Sequence, residues 1–235
     1  MSSTVYPPSL SLSFSYAQIA TAIEVNGGVT PFHFYSERVI QETARKLNSA
    51  FDSVELPFVN HYAVKACPNP HVLDILTRER TNMDCSSVAE IRLSEHVGVT
   101  GEDIMFTSNN TSVEEFKYAR DHNVTINLDD ITHIEKLERV GMPDVVCCRF
   151  NPGDLKQGNV IIGKPTEAKF GMRRDQIIEA YRILKQKGVK RFGLHAMMIS
   201  NECGEDALIE TSRILFKLAF EIHQQTGVTF DFINL

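Results

Sequence analysis

Short apolar, β-branched runs alternate along this chain with segments whose apolar residues recur at helical spacing. The first run is Pro31-Phe32-His33-Phe34-Tyr35. Strand-like runs follow at Tyr62–Ala66, Met83–Ser86, Ile104–Ser108, Val124–Leu128, Val145–Phe150, Arg191–Met197 and Thr229–Leu235. The beat is regular: Lys65, Ser86, Thr107, Leu128 and Arg149 lie near the ends of successive runs, each 21 residues after the last. That is the length of one minimal strand–helix unit.

The intervening segments carry helix signals. Ser87-Val88-Ala89-Glu90 and Ser112-Val113-Glu114-Glu115 match the capping box, in which Ser and Glu satisfy orphan backbone amides reciprocally. Ile131, Ile134, Leu137 and Val140 recur every three residues as one stripe. Ile177, Ile178, Tyr181 and Leu184 share a helix face ahead of Gly188, which suits a C-terminal cap. A last helix is expected around Leu208, Leu215, Leu218, Ala219 and Ile222.

Strands alternating with helices predict parallel pairing through crossovers. Seven strands are counted from Tyr62, one short of a closed (β/α)8 barrel of the TIM type. A doubly wound open sheet is the alternative, but the Gly-rich turn after the first strand that marks its nucleotide-binding forms is absent. A solenoid is disfavoured because the units share rhythm without sharing residues. The chain ends within a strand-like run, Phe230-Asp231-Phe232-Ile233-Asn234-Leu235, which would leave an unpaired edge. The expectation is therefore a barrel over residues 30–235, incomplete at its C-terminus, preceded by an N-terminal arm over residues 1–29.

Composition narrows the class. The 235 residues are 43% hydrophobic, enough for one large core or two small ones, and the formal charge of −6 is dispersed, with no basic stripe of the kind nucleic acid binding needs. The longest apolar runs are strand-sized, so no membrane helix is expected. Five cysteines, Cys67, Cys85, Cys147, Cys148 and Cys203, lack CxxC spacing and suggest neither a disulfide framework nor a metal site, which fits a reducing, cytoplasmic setting. Residues 1–28 are Ser-rich without Lys or Arg, unlike the Arg-bearing transit peptides of organelles, so an arm is the first reading and organelle targeting the minor alternative.

Chemistry is expected where barrel strands end. Polar side chains gather there: Lys65, Asp84, Ser86, Thr107, Ser108, Asn109, Asn127, Asp129, Arg149, Asn151, His195, Ser200 and Asn201. Ser87, Ser112 and Asp130, just ahead of helices, are better read as caps. Lys65 closes a run that reads as a buried strand, and a desolvated ammonium favours the neutral amine, a nucleophile able to form a Schiff base. An edge lysine reaching for water is the plainer alternative. Arg149, after four apolar residues, needs an acceptor: a phosphate, a carboxylate, a phenolate, or an internal acid such as Asp84. His195 suits either a hydrogen-bonded core role or a proton-transfer role. A lysine, an acid, an arginine and a histidine around one barrel mouth suit carbanion chemistry supported by an electron-sink cofactor.

Five segments carry a resemblance in order: Tyr62-Ala63-Val64-Lys65-Ala66, Asn82 to Glu90, Arg149-Phe150-Asn151-Pro152, Lys169-Phe170-Gly171 and Gly193-Leu194-His195. Together they resemble the motifs of the alanine-racemase-type, pyridoxal-phosphate-dependent decarboxylases, those acting on diaminopimelate above all, with ornithine and arginine decarboxylases as relatives. The resemblance covers about Thr30 to Leu235. It implies a pyridoxal-phosphate-binding barrel in which Lys65 forms the Schiff base with the cofactor and Asp84 sets the lysine's protonation. Arg149 would contact the cofactor's polar edge, His195 would lie in its site, and Ser200 would hydrogen-bond its phosphate. It further implies a small amino-acid substrate, a homodimer when full length, and, beyond Leu235, a closing strand, the Gly-rich phosphate loop, the Glu that holds the pyridine nitrogen and a C-terminal β-domain, without which the chain is expected to bind the cofactor poorly and turn over little substrate. One position departs from the pattern: where a second histidine stacks on the pyridine ring in the family, this chain has Met197. A thioether packs against a ring face but cannot carry a proton. A non-catalytic barrel acting through subunit association is the rival reading, and a racemase of the same fold a third.

Overall fold

The computed structural model describes residues 13–55, 57–153, 170–200 and 204–235. Helix α1 (Tyr16–Val25) and helix α2 (Glu37–Asp52) precede the first strand. The repeating part then runs β1 (Asn60–Ala63), α3 (Pro70–Thr77), β2 (Thr81–Cys85), α4 (Val88–His96), β3 (Ile104–Ser108), α5 (Val113–Asp121), β4 (Thr125–Leu128), α6 (His133–Val140), β5 (Val145–Arg149), α7 (Arg174–Gln186), β6 (Arg191–His195), α8 (Glu205–Thr226) and β7 (Phe232–Asn234).

The seven strands form one sheet in the order of the sequence, every pair parallel. The 21-residue beat survives as register: Tyr62 lies opposite Met83, Met83 opposite Ile104, Met105 opposite Thr125 and Ile126 opposite Val146, offsets within one residue of it. The sheet curls, because Asn234 of β7 donates through Nδ2 to the Met105 sulfur of β3 at 3.1 Å, across three intervening strands. This is an incomplete (β/α) barrel with β1 and β7 at its two edges.

Strand parity separates the two faces. Met83, Cys85, Ile104, Phe106, Ile126, Leu128, Val146, Cys148, Phe192 and Leu194 join the main apolar core with residues of the surrounding helices, among them Leu73, Ile91, Phe116, Leu137, Ile177, Tyr181 and Leu215. The other parity points into the curl and is more polar: Asp84, Thr107, Asn127, Arg149, His195 and Asn234. The outer face supplies the burial that holds sheet to helices, about 25 cal/mol for each Å² of apolar surface removed from water, and leaves the inner face free to carry chemistry.

The helix signals are realised locally. Ser112 accepts from the Glu115 amide while the Glu115 carboxylate accepts from the Ser112 amide, a complete capping box. At α4 the box is displaced by one residue: Ser87 accepts from the Glu90 amide, but Glu90 Oε2 receives the Ser86 amide at 2.9 Å. Ile177, Ile178, Tyr181 and Leu184 are all buried on α7, and Gly188 follows its end with φ +89°.

Two expectations are corrected. Pro31–Tyr35 forms no strand. It connects α1 to α2, with Phe34 stacked on Phe14 at 4.1 Å and both Phe34 and Tyr35 exposed, so its aromatics find partners in the arm rather than in the sheet. Lys65 does not end a buried strand either. After Ala63 the chain enters a 3₁₀ turn, Val64–Ala66, closed by the Cys67 amide on the Val64 carbonyl at 3.2 Å. Val64 takes the fully buried position and Lys65 is left exposed.

Candidate active site at the C-terminal ends of the strands

Parallel strands end together, so the residues at their C-terminal ends are gathered by the fold itself. Ala63, beside Lys65, is in register with Asp84, Thr107 with Asn127, Arg149 with His195, and His195 with Asn234. Residues on or just beyond the seven strands thus contribute Lys65, Asp84, Thr107, Asn127, Arg149, His195 and Asn234 in turn.

Asp84 is partly buried, and burial raises its pKa. Three neighbours oppose that push: the Thr107 hydroxyl, which donates to Oδ1 at 2.8 Å, and the charges of Lys65 and Arg149, while the Glu90 carboxylate adds to it. Asn127 Nδ2 in turn donates to Thr107 Oγ1 at 3.3 Å. The Lys65 charge thus acts on Asp84 at the same rim, although the lysine is solvent-exposed rather than desolvated.

Arg149 is paired mainly with Asp129, not with Asp84: Nη1 lies 3.4 Å from Asp129 Oδ1. The Asp129 carboxylate also accepts from Asn109 Nδ2 at 2.8 Å and from the Gly171 amide. Burial disfavours charge on both partners, raising Asp129 and lowering Arg149, and their mutual attraction works against it. The guanidinium lies 5.3 Å from the centre of the Phe170 ring. Phe170 is placed there because the chain returns alongside the end of β5, Met172 N to Arg149 O and Asn151 N to Met172 O, both at 2.8 Å. Gly171 makes that return possible: its φ is +87°, and a Cβ would stand 3.0 Å from the Asn151 nitrogen and the Phe150 carbonyl carbon.

His195 is half-buried with Nδ1 sealed from solvent and unpartnered among the described residues. Burial first, then the Arg149 charge, lower its pKa to about 4, against hydrogen bonds with Asn234 that favour the charged form. The imidazole is thus neutral at pH 7 and offers an acceptor nitrogen. Ser200 lies half-buried on the loop leaving β6, and Met197 on the same loop is 46% exposed. Lys169, Asn201 and Cys203 lie outside the described residues.

The sequence-predicted residues Lys65, Asp84, Arg149 and His195 are brought to one rim. Asn234 was missed; its signal is a polar position in an otherwise apolar closing strand at the same parity as Phe232. Asp130 and Thr132 are local: the Asp130 carboxylate accepts from the Thr132 amide and hydroxyl. Cys147 and Cys148 are fully buried thiols with raised pKa values, Cys148 to about 12, and offer no nucleophile. Among the described residues no cluster of His, Cys, Asp and Glu could hold a metal ion, and no helix is long and apolar enough to cross a membrane.

An amine, a carboxylate, a guanidinium and a neutral imidazole with a free nitrogen fit pyridoxal phosphate, whose aldehyde, anionic oxygens and flat ring match those groups. Residues 37–235 match the family model described as pyridoxal-dependent decarboxylase, pyridoxal binding domain. The chain is 34% identical to Protein TabA of Pseudomonas amygdali pv. tabaci over 206 residues, covering 88% of this chain and 48% of that protein. It is 31% identical to a diaminopimelate decarboxylase of Thermoplasma acidophilum over 209 residues, covering 88% and 50%. It thus spans about half the length of the relatives it matches. Among solved structures, the diaminopimelate decarboxylase of Helicobacter pylori complexed with L-lysine superposes with a TM-score of 0.79 at 23% identity, covering 91% of this chain and 55% of that one. Sequence match, strand topology and rim chemistry converge, and the chain belongs to the pyridoxal-dependent decarboxylases, whose pyridoxal-binding domain it carries.

Proposed function

We propose that this chain is the barrel portion of an amino-acid decarboxylase acting on meso-diaminopimelate, releasing carbon dioxide and L-lysine in lysine biosynthesis. The observation that carries the chemistry is the rim on which Lys65, Asp84, Arg149 and His195 come from β1, β2, β5 and β6 or the turns that follow them. The substrate is supported by relatives named diaminopimelate decarboxylase at 31% and 30% identity. Residues 1–29 are the arm and 30–235 the barrel, completed in the whole protein by a closing strand and a C-terminal β-domain. A cytoplasmic homodimer is the proposed assembly.

Bound pyridoxal phosphate supplies an aldehyde that captures amines and a ring that withdraws electrons from the substrate α-carbon. Lys65 supplies the protein's amine at the exposed mouth. To act as a nucleophile Nζ must shed a proton, and the Asp84 carboxylate, its affinity for protons raised by burial, lies at the same rim. Arg149 presents its guanidinium to an anionic oxygen on the rim while Asp129 keeps it oriented. His195 stays neutral and offers Nδ1. Ser200 supplies a hydroxyl for a phosphate oxygen. When the substrate carboxylate leaves as carbon dioxide, the α-carbon takes a proton in its place, and Lys65 Nζ delivers it.

The test is to incubate the protein with pyridoxal phosphate, reduce with borohydride and locate the label by peptide mass. Label on Lys65, lost in Lys65→Ala, supports the site; unchanged labelling of Lys65→Ala removes Lys65 from this role. Carbon dioxide release from diaminopimelate, compared with ornithine and arginine, decides the substrate. The exposed Met197 favours a second reading, a barrel without turnover that serves in subunit association, and absence of carbon dioxide from all three amino acids in the Lys65-labelled full-length protein would select it.

A further inference from the structure

Thr107 and Asn127 form a chain of hydrogen bonds ending on Asp84. A hydroxyl has one proton. The Asp84 carboxylate can only accept, so at 2.8 Å Thr107 Oγ1 must donate to it, which leaves the Thr107 lone pairs to be satisfied from elsewhere. Asn127 satisfies one through Nδ2 at 3.3 Å, and its own Oδ1 is buried without a partner among the described residues. Asn127 is 2% exposed, held on β4 in register with Thr107. The single Thr107 proton fixes the direction: with the amide turned the other way Oδ1 would compete for that proton and Asp84 would lose its donor.

We propose that Thr107, oriented by Asn127, is a positioning residue that holds Asp84 as a carboxylate aimed at the mouth where Lys65 stands. The reading of Lys65 and Asp84 as site residues underlies its functional meaning, but the relay itself concerns only this chain's own groups. Three charged groups also act on Asp84: Lys65 from the turn after β1, Glu90 from α4 and Arg149 from β5. The buried Cys85 and Cys147 thiols each feel its charge. None of these is altered by substitution at Thr107. When Asp84 is protonated the relay reverses, Asp84 donating to Thr107 and Thr107 to the Asn127 oxygen, so the amide turns over with the proton.

The experiment follows the Asp84 carboxyl carbon by 13C NMR against pH in the cofactor-free protein. Thr107→Val keeps shape and removes the hydroxyl; it is expected to raise the proton affinity of Asp84 about tenfold, the loss of one charge-assisted hydrogen bond, and Thr107→Ser is expected to restore it. A titration of Thr107→Val identical to the unsubstituted protein would overturn the proposal. A measurement that needs no variant guards against a misfolded one: the Asn127 side-chain amide resonances should move with the same midpoint as Asp84, and amide signals flat across that midpoint would also overturn it. Borohydride labelling of Lys65 separates the two readings. Relay present without label means that the cofactor reading fails while the positioning stands, and label without relay means the reverse.

Discussion

Acidification tests the state of His195 directly. Burial and the Arg149 guanidinium lower its pKa to about 4 from the ordinary 6.5, so the folded protein holds it neutral while the unfolded chain protonates it from pH 6.5 downward. Between those values the unfolded state binds more protons, and stability falls as pH falls. The neutral imidazole's contribution is complete above pH 6.5 and is lost on passing down through about 4. At 1.36 kcal/mol per unit, the difference of roughly 2.5 units amounts to about 3 kcal/mol between pH 7 and pH 4. Asp84 and Asp129 act with the opposite sign, since raised carboxyl pKa values favour the folded state in acid. The quantity to measure is therefore the gap in unfolding free energy between the protein and His195→Gln, by guanidinium denaturation at intervals from pH 7 to pH 4. The gap should close by about 3 kcal/mol, and the His195 Cε1 proton should titrate near 4 in NMR. A gap constant over that range, or a midpoint at 6.5, would refute the assignment of a sealed, neutral imidazole beside Arg149.

Gly193→Ala should destabilise the fold by about 1–3 kcal/mol through overpacking, because the added Cβ would stand 2.1 Å from Phe232 Cζ on the neighbouring strand. Combining it with Phe232→Leu should cost less than the sum of the two changes, and simple additivity in denaturation midpoints would count against the contact. Tyr181→Phe should cost about 1 kcal/mol by removing one buried hydrogen bond, since its hydroxyl donates to the Gly193 carbonyl at 2.5 Å from a fully buried ring; unchanged thermal stability would contradict that. Ser112→Ala should lower stability by about 1 kcal/mol by removing the α5 N-cap, with Ser112→Asp restoring it in the same assay.

The sequence by itself determined the seven-strand rhythm, the parallel order, the N-caps of α4 and α5 and the glycine after α7, because these follow from local periodicity and caps that each segment carries alone. The 21-residue spacing reappears as strand register, and the α7 stripe is buried as its pattern requires. It also determined which residue types stand at the strand ends, so Lys65, Asp84, Arg149 and His195 were legible as candidates. What only the tertiary structure decided was which of them touch and how far each meets water. Pro31–Tyr35 alternates like a strand, but pairing depends on neighbours it does not meet. Lys65 follows an apolar run, yet one 3₁₀ turn buries Val64 and exposes the lysine. Arg149 pairs with Asp129 rather than Asp84, and Asn234 reaches both His195 and Met105 only because the sheet curls. Burial, charge pairing and proton affinity are sums over groups far apart in the chain, so they exist only once the strands have been laid side by side.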